Sequence, residues 1–201
     1  MLNRRDLLKT TVVGSAVAAL AWSAPAQSYP SVEEVLFDPE IPVLGNPEGD
    51  VTIAEYFDYQ CPFCKRGHKD LLDVVRQDGN VRLVMKDWPI FGSASVHASS
   101  LVLAAGENYE KALNAVMATP GRLDKEDVEA AIAGAGLDPK ALWERFRKDM
   151  DRVHGVLARN MDQANAFGFG GTPAFIIGTR IYHGAMDRNT LLEAIAAARQ
   201  S

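Results

Sequence analysis

The chain has two cysteines, Cys61 and Cys64, separated only by Pro62 and Phe63. Two thiols one helical turn apart can close a small disulfide and reopen it. As a structural staple such a pair would achieve little, because so short a loop removes almost no entropy from the unfolded chain. A closed zinc site needs four ligands, and here His68 offers at most a third. Haem attachment needs a histidine directly after the second cysteine, where this chain has Lys65. Thiol–disulfide chemistry is the reading this spacing favours.

The flanking residues support it. Ile53 to Tyr59 is an apolar, aromatic run that reads as a buried strand. Leu71, Leu72, Val74 and Val75 recur at helical spacing after the cysteines. The pair therefore sits where a strand hands over to a helix. Helix N-termini carry unpaired N–H groups and partial positive charge, which lower the pKa of a thiol placed there. Pro62 suits the first helical turn. Cys61, at the mouth, is expected to be the exposed nucleophile, with Cys64 its resolving partner one turn deeper.

Glu55 lies in the same strand, six residues before Cys61, and alternation places it on the side of Phe57 and Tyr59. A buried carboxylate needs a partner or a raised pKa. Lys86, near the end of the following strand, is the expected partner. His97, His154 and His183 have no assignable partners and read as structural or exposed. Lys65, Arg66 and His68 put positive charge near the cysteines, which a solvated helix face explains equally well.

The remaining chain supplies the frame. With 201 residues, 47% of them hydrophobic and 23% charged, the composition is that of one globular domain, or of one domain carrying an insertion. The net charge of −5 argues against nucleic-acid binding. Residues 1–26 read as a signal peptide: Arg4-Arg5-Asp6-Leu7-Leu8-Lys9 opens it, a short apolar run follows, and Ala24-Pro25-Ala26 matches a cleavage site after Ala26. The paired arginines fit twin-arginine export, with an ordinary secretory signal or an uncleaved anchor as alternatives. Residues 27–50 carry four prolines and read as an extended leader with one edge strand, over Val35–Phe37 or Pro42–Leu44. Val51–Tyr59, the cysteine helix and Val81–Lys86 make a β-α-β unit with parallel strands. From Ser93 to Phe167 the chain is rich in alanine, leucine and charge and reads as helices. Ala174–Ile177 and Arg180–His183, joined by Gly178-Thr179, read as a hairpin, and Asp187 caps a final helix.

The run Glu55-Tyr56-Phe57-Asp58-Tyr59-Gln60-Cys61-Pro62-Phe63-Cys64-Lys65 resembles the active site of DsbA-like thiol–disulfide oxidoreductases, bacterial envelope proteins of the thioredoxin superfamily. Gly170-Gly171-Thr172-Pro173 before a short apolar strand resembles the second half of that site. The likeness covers about residues 41 to 200. It implies an α/β thioredoxin fold, over 51–92 and 168–201, interrupted by an all-helical insertion over 93–167. It implies a cis peptide before Pro173, with Thr172 and Pro173 contacting an extended substrate. It implies that Glu55 moves protons for the buried cysteine. Neither metal nor organic cofactor is required. The implied partners are cysteine-containing envelope proteins and a membrane redox protein, either DsbB-like or DsbD-like. A short leader favours a monomer.

Phe63 stands where the strongest oxidants of that family carry histidine, and an aromatic hydrocarbon cannot stabilise a thiolate as a cation does. The expected potential is then about −200 to −130 mV, between thioredoxin and DsbA. Oxidase action in the periplasm is the favoured direction. Two alternatives stand: an isomerase or reductase of the DsbC, DsbG or ScsC kind, which Thr172 resembles, and a copper-binding envelope protein using both thiolates.

Overall fold

The computed structural model describes residues 29–200, so the expected signal peptide and its cleavage after Ala26 lie outside the described residues. A five-stranded sheet runs through the molecule in the order β1-β3-β2-β4-β5. Its strands are β1 (Val43–Gly45), β2 (Val51–Phe57), β3 (Val81–Asp87), β4 (Ala174–Ile177) and β5 (Arg180–His183). The helix α2 (Pro62–Asp78) joins the parallel strands β2 and β3, and β4 and β5 form an antiparallel hairpin against β2. This is the α/β thioredoxin-type arrangement.

Both central strands are buried along their whole length. The reason is cover on both faces. One face packs under α2, and the other meets α1 (Val32–Leu36) and α7 (Met150–Ala166). Between β3 and β4 the chain is helical: α3 (Ser93–Leu103), a 3-10 turn at Gly106–Asn108, α4 (Tyr109–Met117), α5 (Lys125–Gly134), α6 (Pro139–Lys148) and α7. The final helix, α8 (Arg188–Ala198), opens at Asp187, whose side chain accepts from the Thr190 amide.

The leader differs from the extended reading. Val32–Leu36 is a helix, not an edge strand, because Ser31 and Glu34 close a reciprocal capping box that satisfies its first donors. The edge strand is Val43–Gly45, antiparallel to β3. Gly45 ends it at φ +70, pressed against Val75 and the Val81 carbonyl where any Cβ would collide.

Candidate active site

The site is built from the loop after β2. Asp58 is buried there and folds the chain back on itself. Its Oδ1 accepts from the Gln60 amide (2.7 Å) and the Ser95 hydroxyl (2.6 Å), and its Oδ2 accepts from the Phe91 amide (2.9 Å). Gln60 extends the tie: its side-chain amide donates to the Phe91 carbonyl (3.0 Å), and its oxygen accepts from the Leu123 amide (3.1 Å). These bonds clamp the cysteine loop to the segments around Phe91 and Leu123. Neither residue was given a role from sequence. The signal was visible as polar side chains at the end of an apolar strand, but apart from the Asp58–Gln60 turn their partners lie 31 to 63 residues away.

Cys61 is the N-cap of α2, and its side chain makes no capping hydrogen bond. The amides of Phe63 and Cys64 therefore face the Cys61 sulfur. The thiol is lowered to about 5, chiefly by donation from the Cys64 thiol, with help from the Thr172 hydroxyl and those two amides, against the opposing effect of burial. Cys64 is displaced the other way, far above its ordinary range. Burial dominates, reinforced by its bond to Cys61 and by the charge of Glu55. One turn of helix thus separates a ready nucleophile from a protonated partner.

Cys61 is not the exposed group expected at the mouth. It is 1% exposed, like Cys64, because the Thr172–Pro173 loop lies over it. The Thr172 carbonyl oxygen stands 3.2 Å from Sγ and accepts from the thiol. The Thr172–Pro173 peptide is cis. The Pro173 carbonyl turns away and accepts from the Gly184 amide (3.1 Å), so the Thr172 backbone is what faces Cys61. Pro62 and Phe63 form the exposed lip, Phe63 at 52%, with the Arg66 guanidinium 4.5 Å above its ring.

Glu55 is buried beneath the pair, opposite Met85 on β3 and Phe175 on β4. Its Oε2 has no hydrogen-bond partner among the described residues. Burial first, and then the negative Cys61, raise its pKa to about 8. The expected Glu55–Lys86 pair is not made. Lys86 is opposite Tyr56, so the pleat sends it to the other face of the sheet. There it lies among Asp38, Arg159 and Arg82, fully buried, its ammonium without a hydrogen bond among the described residues, its pKa lowered to about 8 mainly by burial.

A second buried acid shares the Glu55 face. Asp87, two residues beyond Met85, is raised to about 7 by burial, while Ser99 and Tyr59 nearby pull the other way. Among the described residues neither carboxylate oxygen has a hydrogen-bond partner, nor do the hydroxyls of Tyr59, Ser99 and Tyr109. Tyr109 senses the charge of both Asp87 and Glu55. Sequence reasoning passed over Asp87 because it looks like the polar end of a strand.

His68 turns from the cysteines to Asn114, 2.7 Å from Nε2 to Oδ1. Among the described residues no group of three or more His, Cys, Asp or Glu side chains could hold a metal ion. His97 pairs with Glu129 at 3.1 Å, remote from the sulfurs.

A strand-to-helix cysteine pair facing a cis-proline loop, on this sheet order, defines a thioredoxin-fold redox site. The family model described as Thioredoxin matches residues 38–197, and the chain belongs to that family. A thioredoxin-like oxidoreductase from Silicibacter pomeroyi superimposes with a TM-score of 0.79 at 36% identity, over 86% of this chain and 99% of that one. The thiol-disulfide exchange protein alpha-DsbA2 from Wolbachia pipientis gives 0.76 at 26% identity, over 82% and 90%. The catalytic domain of Proteus mirabilis ScsC shares the fold at 24% identity and a TM-score of 0.76, over 84% and 94%. Among curated proteins, a Na(+)/H(+) antiporter NhaA of Herminiimonas arsenicoxydans is 28% identical over 189 residues, which are 92% of this chain and 30% of that protein. The chain spans about a third of the length of the curated relatives it matches.

Proposed function

We propose that the chain is an exported dithiol oxidase that passes its Cys61–Cys64 disulfide to cysteine-containing envelope proteins. The observation that carries this is the split between the two thiols. A Cys61 thiol held near 5 stabilises the reduced protein, and a couple whose reduced form is stabilised is an oxidant. Export rests on residues 1–26 and on the company of DsbA-like proteins. No cofactor takes part, and the working unit is a monomer.

In the proposed cycle a substrate thiolate attacks Cys61 Sγ. The substrate–Cys61 bond forms, the Cys61–Cys64 bond breaks, and Cys64 leaves as a thiolate that takes up one proton. Glu55, buried beside it with an elevated pKa, is the group placed to deliver that proton. A second substrate thiolate then attacks the substrate sulfur of the mixed disulfide and releases Cys61 as thiolate. The substrate loses two electrons and the protein gains them. A membrane redox partner restores the disulfide. Thr172, whose carbonyl already meets Cys61, holds the substrate backbone during exchange.

The test is the potential of the pair in glutathione buffers, followed through the fluorescence of the buried Trp88 and of Trp143. A value near −130 mV fits a dithiol oxidase; a value near −250 mV overturns that direction and leaves a reductase or isomerase kept reduced in the envelope.

A further inference from the structure

Beside Cys61, towards the helical segment, lies a cleft of about 480 Å³. Gln60 and Pro62, the neighbours of Cys61, form its inner edge, and Phe91 and Pro120 supply apolar wall. Arg66 and Arg122, both exposed, line its outer part. The cleft is held in shape from below: Lys65 Nζ donates to the Thr119 carbonyl (2.8 Å), the Thr119 hydroxyl (3.0 Å) and the Gly121 carbonyl (3.1 Å). Gln60 fastens the opposite side to Phe91 and Leu123.

The charge here runs against the rest of the molecule. The protein carries a net −5, yet three cations meet at this cleft. Lys65 is partly answered by Asp127 and Asp58. The guanidiniums of Arg66 and Arg122 form no ion pair or hydrogen bond with any described residue, that of Arg66 lying over the Phe63 ring. Two unanswered guanidiniums beside an apolar wall fit a carboxylate on an apolar stem, since the guanidinium fork matches carboxylate geometry.

We infer that this cleft reads the substrate polypeptide next to its reacting cysteine, so that the protein favours cysteines flanked by glutamate over cysteines flanked by lysine. The inference rests on the thiol–disulfide reading above and adds a substrate class to it. The stem lies along Phe91 and the carboxylate reaches the two arginines. Complementary charge of this kind acts mainly on the association rate and fades with salt.

The experiment uses oxidised protein and three short peptides, each with one cysteine flanked on both sides by Glu, Lys or Gln. The rate of mixed-disulfide formation at Cys61 is divided by each peptide's rate with 2-hydroxyethyl disulfide, which cancels the effect of flanking charge on the peptide thiol itself. At low salt the normalised Glu peptide is expected to react about tenfold faster than the Lys peptide, the effect of two partly shielded ion pairs. The ratio should fall to within about twofold in 0.5 M salt, and likewise in the double variant Arg66→Gln/Arg122→Gln. Phe91→Ala should slow the Glu and Gln peptides alike. A ratio near one in the unaltered protein, or one that survives loss of both arginines, overturns the inference. Failure of the Gln peptide and of dithiothreitol to react at all would instead overturn the redox reading beneath it.

Discussion

The Cys61 sulfur and the Thr172 carbonyl oxygen are 3.2 Å apart, so the reduced thiol has an acceptor that its thiolate must give up. Ionisation replaces that bond with donation from the Cys64 thiol, the Thr172 hydroxyl and two helix amides. Until then the hydroxyl is buried without a partner among the described residues. Alkylation of the reduced protein by iodoacetamide should therefore titrate with an inflection near pH 5, not near the ordinary thiol value of about 8.5. Cys64→Ala removes the largest stabilising donor. A hydrogen bond to a charged group contributes about 1.5–3 kcal/mol, so the inflection should rise by about one to two units. An unmoved inflection would show that the amides alone set it.

Glu55 should matter to Cys64 more than to Cys61. Its charge, together with that of Cys61, raises Cys64, and it lies with the cysteines on one side of the sheet. Glu55→Gln keeps shape and burial but cannot carry a proton. Resolution of a Cys61 mixed disulfide by Cys64 should slow by about 10²-fold, the scale of a lost general acid–base group. The first attack at Cys61 should change much less. Quenched-flow trapping with mass detection separates the two steps, and equal slowing of both would argue against a proton role.

The cysteine pair, the β-α-β unit and the Thr-Pro loop were legible because each is written in adjacent residues. The burial of Glu55 could be read from strand alternation. The Glu55–Lys86 pairing could not, because alternation tells which residues of one strand share a face but not how two strands are offset. The register aligns Glu55 with Met85, and a shift of one residue reverses the face. The clamp made by Asp58 and Gln60 was hidden for a different reason: its partners come from α3 and the α4–α5 loop, contacts that only the folded chain creates. The cap of the short α1 is written in Ser31 and Glu34, but the prolines around it fit an extended path equally well.

Asp87 makes stability fall as pH rises. Its folded pKa is raised to about 7, so the protein holds its proton more tightly than the unfolded chain does. That contribution is complete below the unfolded value of about 3.9 and is lost as pH climbs through about 7. Asp87→Asn removes the buried charge and should leave stability at pH 4 little changed. At pH 8 it should gain roughly 1–3 kcal/mol, after allowance for the hydroxyls of Tyr59 and Ser99 that soften the penalty. Urea unfolding of the reduced protein at both pH values measures the difference. A gain of equal size at pH 4 would mean that packing, not charge, is responsible.

Lys86 gives the opposite sign and a sharper separation of structure from chemistry. Its folded pKa is lowered to about 8, so folding releases a proton that the unfolded chain keeps. Its neutral form costs nothing above the unfolded value of about 10.4, and stability is lost as pH falls through about 8. Lys86→Met replaces an unpaired buried ammonium with a flexible apolar chain of similar length. The variant should be more stable by about 1–3 kcal/mol at pH 7, with the gain shrinking towards pH 10. The arrangement of the sheet adds a second requirement. Lys86 and Glu55 lie on opposite faces, so the Cys61 inflection and the resolution rate of the Glu55 experiment should stay where they are in the unaltered protein. A slowed resolution step in Lys86→Met would mean that the two charges communicate through the sheet, and that the face on which a side chain lies does not by itself decide its part in the reaction.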